Sequence, residues 1–231
     1  MKLSMLILVA VIFLAVLCLL PAFFRWRRHQ RELKKKLLSR LSNRSDRLLY
    51  SLEMISDRYM ARDTKIFLIE YLLSVITQLV TSNYKSEFVS KQADLLRLLT
   101  ELKLGRQVTA KDRVVSQEQL DQIQNSLQFM LRELRSMGES YGASRVIIRH
   151  HIVLIRYAHA LAYRDLLVRQ ARLDLDNDKK NRALEKYRIA LSVMEKNASV
   201  SSSKREMARL QSMIQEVEKV LFSKNNKAEL K

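Results

Sequence analysis

Glycine, proline and cysteine are nearly missing from this chain of 231 residues. It has three glycines (Gly105, Gly138, Gly142), one proline (Pro21) and one cysteine (Cys18). Sheets and α/β folds place glycine and proline at turns and close approaches, so their scarcity excludes a strand-rich fold and points to long helices with few loops. Three scattered glycines cannot build a G-x-x-x-x-G-K-[ST] or G-x-G-x-x-G phosphate loop. One cysteine rules out an intramolecular disulfide and a multi-thiolate metal site. The four histidines, His29, His150, His151 and His159, form neither H-E-x-x-H nor the Glu-x-x-His pairs of a di-iron bundle. His150 and His151 are adjacent, so on a helix they point to different sides. With no recognisable catalytic constellation, the expectation is a protein that is not an enzyme and carries no cofactor or metal.

What the chain has in excess is Leu, Arg, Lys, Glu, Gln, Met and Ala, residues that lose little freedom in a helix. The fold class expected is all-α. Residues 5–24, MLILVAVIFLAVLCLLPAFF, are uninterruptedly apolar. As a helix they reach roughly 30 Å, the thickness of a bilayer's hydrocarbon core. An uncleaved transmembrane anchor over 1–24 is therefore expected. A cleaved signal peptide fits less well, because the run is long and Leu20 and Ala22 make a poor peptidase site. A lipoprotein signal ending at Cys18 would need a small residue where Leu17 stands.

The flank after the apolar run sets the orientation. Arg25, Arg27, Arg28, Arg31, Lys34, Lys35, Lys36 and Arg40 follow it, against Lys2 alone before it. The positive-inside bias holds such a flank in the cytoplasm, giving a single-pass protein with its N-terminus outside and its helical domain cytoplasmic. Trp26 and the basic residues from Arg25 to Lys36 are the expected lipid-interface group, since basic side chains beside a cytoplasmic leaflet are attracted to anionic lipid.

Beyond a basic juxtamembrane helix (25–41), apolar residues recur at helical spacing through a domain expected over 42–222, followed by a polar tail over 223–231. Leu33, Leu37, Leu41, Leu48, Leu52, Ile55 and Tyr59 read as one amphipathic helix that Asn43 and Ser45 could break. Residues 66–80 read as a buried core helix, and 86–104 as a helix stopped by Gly105. Ser116 and Gln119 match a capping box that opens a helix ending at Gly138. A long helix runs from Arg145 to about Leu173, a turn covers 174–178, and helix resumes from Arg182 to Lys196. Ser203 and Glu206 match a second capping box opening the last helix. Short connections imply antiparallel neighbours, hence an α-helical bundle or stacked helical hairpins.

Ala183, Tyr187 and Ala190 have the spacing of small and aromatic residues that interlock neighbouring helices, and in this resemble the second helix of a tetratricopeptide repeat. The matching first-helix pattern is absent, with Gln170, Ala171 and Asp174 in its place. No 34-residue period recurs, so no family follows and close helix packing is the reading taken. Asp174, Asp176, Asp178 and Glu185 occupy the oxygen-donor positions of a calcium loop. Lys179, however, replaces the glycine such a loop needs for its sharp turn.

Charge is the remaining signal. The total is +18, and more than half lies beyond residue 40. Arg145, Arg149 and Arg156 fall together on the long helix and are the candidate partner-binding stripe. The function expected is a membrane-anchored adaptor or scaffold that binds a protein partner near the cytoplasmic leaflet. The alternative is anionic-lipid or nucleic-acid binding through a basic surface. No aromatic-basic motif supports nucleic acid.

Overall fold

The structure, a computed structural model, describes residues 2–105, 112–137 and 144–228, with side chains from 23 to 221 within those ranges. It is all-helical: eight helices and no strand among the described residues. They are α1 (Lys2–Met54), α2 (Arg62–Thr81), α3 (Glu87–Ser90), α4 (Gln92–Leu104), α5 (Gln117–Ser136), α6 (Arg145–Asp176), α7 (Lys180–Glu195) and α8 (Ser201–Ala228). Packing divides the chain into two units, Met1–Asp46 with Ser74–Gln92, and Arg47–Leu73 with Ala93–Lys231.

In the first unit, α1 does not break at Asn43 and Ser45 as the sequence suggests. It stays helical to Met54. Leu38, Ser42 and Ser45 are all buried, and packing on that face outweighs the few tenths of a kcal/mol by which Ser and Asn disfavour a helix. The helix expected over 86–104 is instead two. Ser90 Oγ donates to the Glu87 carbonyl and the Lys91 amide to that of Phe88, closing a tight turn. Lys91 Nζ pairs with Asp46 at 2.7 Å.

In the second unit, Ile55 and Tyr59 are buried as expected but stand in the connector 55–61, since α1 ends at Met54. Gly105 ends α4 at φ +69, where a side chain would be strained. Ser116 Oγ accepts the Gln119 amide, and Gln119 Oε1 accepts the Val115 amide. This satisfies two of the donors a helix start leaves open. α5 then buries Leu120, Ile123, Leu127, Met130 and Leu134. It ends at Ser136, so Gly138 lies outside the described residues.

Consecutive helices pack on one another: α5 on α6, α6 on α7, and α7 on α8. Connections of a few residues between α6, α7 and α8 make these neighbours antiparallel. Ala162, Ala171, Ala183 and Ala190 are fully buried, and such small residues let helix backbones approach closely. Tyr187 is buried between Ala183 and Ala190 along α7.

Three boundaries differ from expectation. α6 extends through Asp176, so the turn is confined to 177–179, with Asp178 at φ 55. The Ser203–Glu206 capping box is not made, because α8 is already helical at Ser201. Ser203 Oγ instead donates to the Met194 carbonyl at 3.0 Å, tying α8 to the end of α7. The expected polar tail is helical to Ala228.

α2 is long and apolar enough to cross a membrane, and half of its most apolar window is buried within the protein. Leu68, Ile69, Leu72, Ile76 and Leu79 are fully buried, the pattern of a core helix.

Candidate functional site

α6 carries the residues singled out from the sequence and, further along, charged residues that were not. Arg145, Arg149 and Arg156 are all exposed. No salt bridge among the described residues engages them. At about a hundred degrees per residue, Val153 and Val146 lie beside the arginines on the same side of the helix. Val146 is 74 % exposed and Val153 39 %. The inward side is taken by Ile148, His151 and Ile155. The N-terminal half of α6 thus presents guanidinium groups next to uncovered apolar side chains.

His151 faces the interior: Thr64 Oγ1 lies 3.0 Å from its Nδ1, and its ring stacks on Phe67 with centroids 4.4 Å apart. Burial, then the neighbouring His150, lowers its pKa from the ordinary 6.5, with Asp63 opposing, so the imidazole is held neutral. His150 is exposed. The two adjacent histidines therefore sit in different surroundings, as their helix spacing implies.

The second half of α6 holds a buried ion network. Asp165 receives Arg58 through a two-pronged contact, Nε to Oδ2 and Nη2 to Oδ1. Tyr59 Oη donates to the same carboxylate at 2.9 Å and accepts the Val114 amide at 2.9 Å. Arg164 Nη1 donates to Asp165 at 2.7 Å, and its Nη2 lies 2.8 Å from Glu206 Oε2 on α8. Burial alone would raise the Asp165 pKa. The hydrogen bonds and charges of Arg58 and Arg164 outweigh it and hold the carboxyl below its usual range. The hydrogen bond to Asp165 raises the Arg58 pKa in turn, against burial. Burial pushes the Tyr59 hydroxyl up, so it stays protonated and keeps donating. The network joins the 55–61 connector, the loop before α5, α6 and α8.

Sequence reading missed this cluster. Its signal was a charged pair, Arg164 and Asp165, inside the apolar run ALAYRDLLV. Its partners at 58, 59 and 206 carry no pattern of their own.

The residues expected at a lipid interface, Arg25, Trp26, Arg27, Arg28, Arg31, Lys34, Lys35 and Lys36, lie exposed along α1. Phe23 packs edge-on against Phe24 and tilted against Trp26, both pairs with centroids 6.2 Å apart. The calcium-loop pattern does not form a loop. Asp174 and Asp176 are within α6, Lys186 Nζ pairs with Asp174 at 2.6 Å, and Lys180 Nζ pairs with Asp178 at 3.1 Å. Among the described residues no group of three or more His, Cys, Asp or Glu is placed to hold a metal.

Fold and site together define an all-helical protein with a strongly basic surface. No protein-family model, curated protein or solved structure matches the chain.

Proposed function

We propose that this protein is a membrane-anchored helical interaction module. Residues 5–24 fix it in the bilayer, and the basic face of α6 binds an acidic protein partner at the cytoplasmic leaflet. The observation that carries the reading is the juxtaposition on α6 of Arg145, Arg149 and Arg156 with exposed Val146 and Val153. Such a surface offers an acidic partner both charge complementarity and apolar area to bury.

Anchoring is supported by the side chains at the end of the apolar run. Phe23, Phe24 and Trp26 are 50–59 % exposed, which water disfavours and a membrane interface favours. The exposed basic side chains that follow fit contact with anionic headgroups.

Crosslinking in intact cells, with identification of the captured proteins, tests the binding half. The wild-type chain should yield a partner that R145Q/R149Q/R156Q loses, and the complex should persist in salt that strips nonspecifically held nucleic acid. A partner recovered equally from both chains would retire the face. For the anchor, a reporter active only in the cytoplasm should be active when fused after Lys231. Activity of an export-dependent reporter there would overturn the orientation.

A further inference from the structure

A cleft of about 390 Å³ between α6 and α8 gathers arginines from three separate stretches of chain. Arg113 comes from the loop before α5, Arg164 and Arg172 from α6, and Arg209 from α8, with Ser212 beside them. Glu216 is the single carboxylate in the lining, and Val168 and Met213 supply an apolar wall. We propose that this cleft binds a phosphate monoester, either free in solution or as the headgroup of a lipid.

Arg164 gives the strongest argument. It is 2 % exposed; its Nη1 donates to Asp165, and its Nη2 meets Glu206 Oε2 at 2.8 Å as a charge contact without a hydrogen bond. Its Nε is buried with no hydrogen-bond partner. A buried N–H without an acceptor is costly, and each such group calls for an explanation. An anionic oxygen in the cleft supplies the acceptor.

The other guanidiniums are available for the same ligand. Arg113 and Arg172 are exposed, and Arg172 bonds the neutral Tyr187 side chain. Arg209 reaches Glu206 only at 3.3 Å. Counting Arg58 and the carboxylates Asp165 and Glu206 that answer Arg164 and Arg209 from behind the lining, the guanidiniums exceed the carboxylates by two. That excess matches a group that carries nearly two charges and three acceptor oxygens better than it matches a carboxylate. Among the described residues the lining has no aromatic ring, so a nucleobase would find no aromatic face there to stack on. A small phosphate monoester is the ligand that fits.

The test uses the full chain in nonionic detergent, titrated calorimetrically with glycerol 3-phosphate at constant ionic strength. Wild-type protein should bind saturably at one site. R172Q/R209Q should weaken binding by about tenfold or more, while R145Q/R149Q, which removes the same charge elsewhere, should bind like wild type. If R172Q/R209Q fails to fold, R113Q decides instead: it removes one loop donor and should weaken binding several-fold. Absence of saturable binding would overturn the proposal, as would equal losses in the two double variants or an R113Q chain that binds like wild type. So would binding of a Glu-rich peptide without binding of the phosphate. Short-chain phosphatidic acid binding more tightly than glycerol 3-phosphate identifies a lipid headgroup, and equal binding identifies a free monoester. Either supports the site.

Discussion

The two halves of α6 hold arginine in opposite ways. Arg145, Arg149 and Arg156 stand in solvent with no acidic partner among the described residues, whereas Arg164 is 2 % exposed and touches two carboxylates. The residue type and the helix are the same, and what differs is the surroundings. Around the second half, the 55–61 connector brings Arg58 and Tyr59, and α8 brings Glu206. A charge is tolerated in a protein interior only when paired and hydrogen-bonded, and here each charge is answered from another element. Among the described residues the arginines of the first half meet no such answer, and their guanidinium groups stay in solvent. The charges at Asp165 hold the fold together, while those at Arg145, Arg149 and Arg156 are the ones the proposed protein partner would meet.

Substitutions should separate the two halves by size of effect. Asp165→Asn removes the charge that neutralises Arg58 and Arg164. It should cost ~3–5 kcal/mol, seen as a large drop in the thermal or denaturant unfolding midpoint. An unchanged midpoint would break the comparison at its buried end. Tyr59→Phe should cost less, ~1–3 kcal/mol, because it leaves the Val114 amide without its acceptor while Asp165 Oδ2 keeps the Arg58 Nε donor.

Acidification should act between these two and the surface arginines. The pKa of His151 is lowered in the folded chain, so its contribution is complete above the ordinary value of 6.5 and is lost as pH falls from there toward the folded value. Unfolding midpoints should therefore decline on moving from neutral pH to about 5.5. His151→Gln should flatten that decline without abolishing it, because burial lowers the pKa of His159 too. Asp165 does not add to this slope. Its folded pKa lies below the ordinary 3.8, so its contribution disappears only in stronger acid. The smallest effect on stability belongs to R145Q/R149Q/R156Q, whose midpoint should match wild type because exposed charges without partners hold nothing in place.

The sequence showed the surface half of α6 and hid the buried half, for a physical reason. Helical periodicity places Arg145, Arg149 and Arg156 together because their relation is local, within one element. The same is true of the stripe on α5 and of the Ser116 cap, both of which formed as expected. The network at Asp165 depends on residues 58, 59 and 206, whose relation exists only once four segments have packed. Local patterns also misled where tertiary partners competed for the same side chain. Ser203 and Glu206 have capping-box spacing, yet Ser203 bonds Met194 and Glu206 answers Arg164, so neither was left for a cap. The acidic spacing over 174–185 likewise yielded to lysines 180 and 186 within the same hairpin.

The most direct test of the surface half is a photo-crosslinking amino acid placed at Val153, beside the arginines, in the full chain within intact cells. Capture of one acidic protein as a discrete adduct is expected, with loss of that adduct when Arg145, Arg149 and Arg156 are changed to Gln. An adduct that persists undiminished without the three arginines, or no adduct at all from this position, would contradict the proposed binding face.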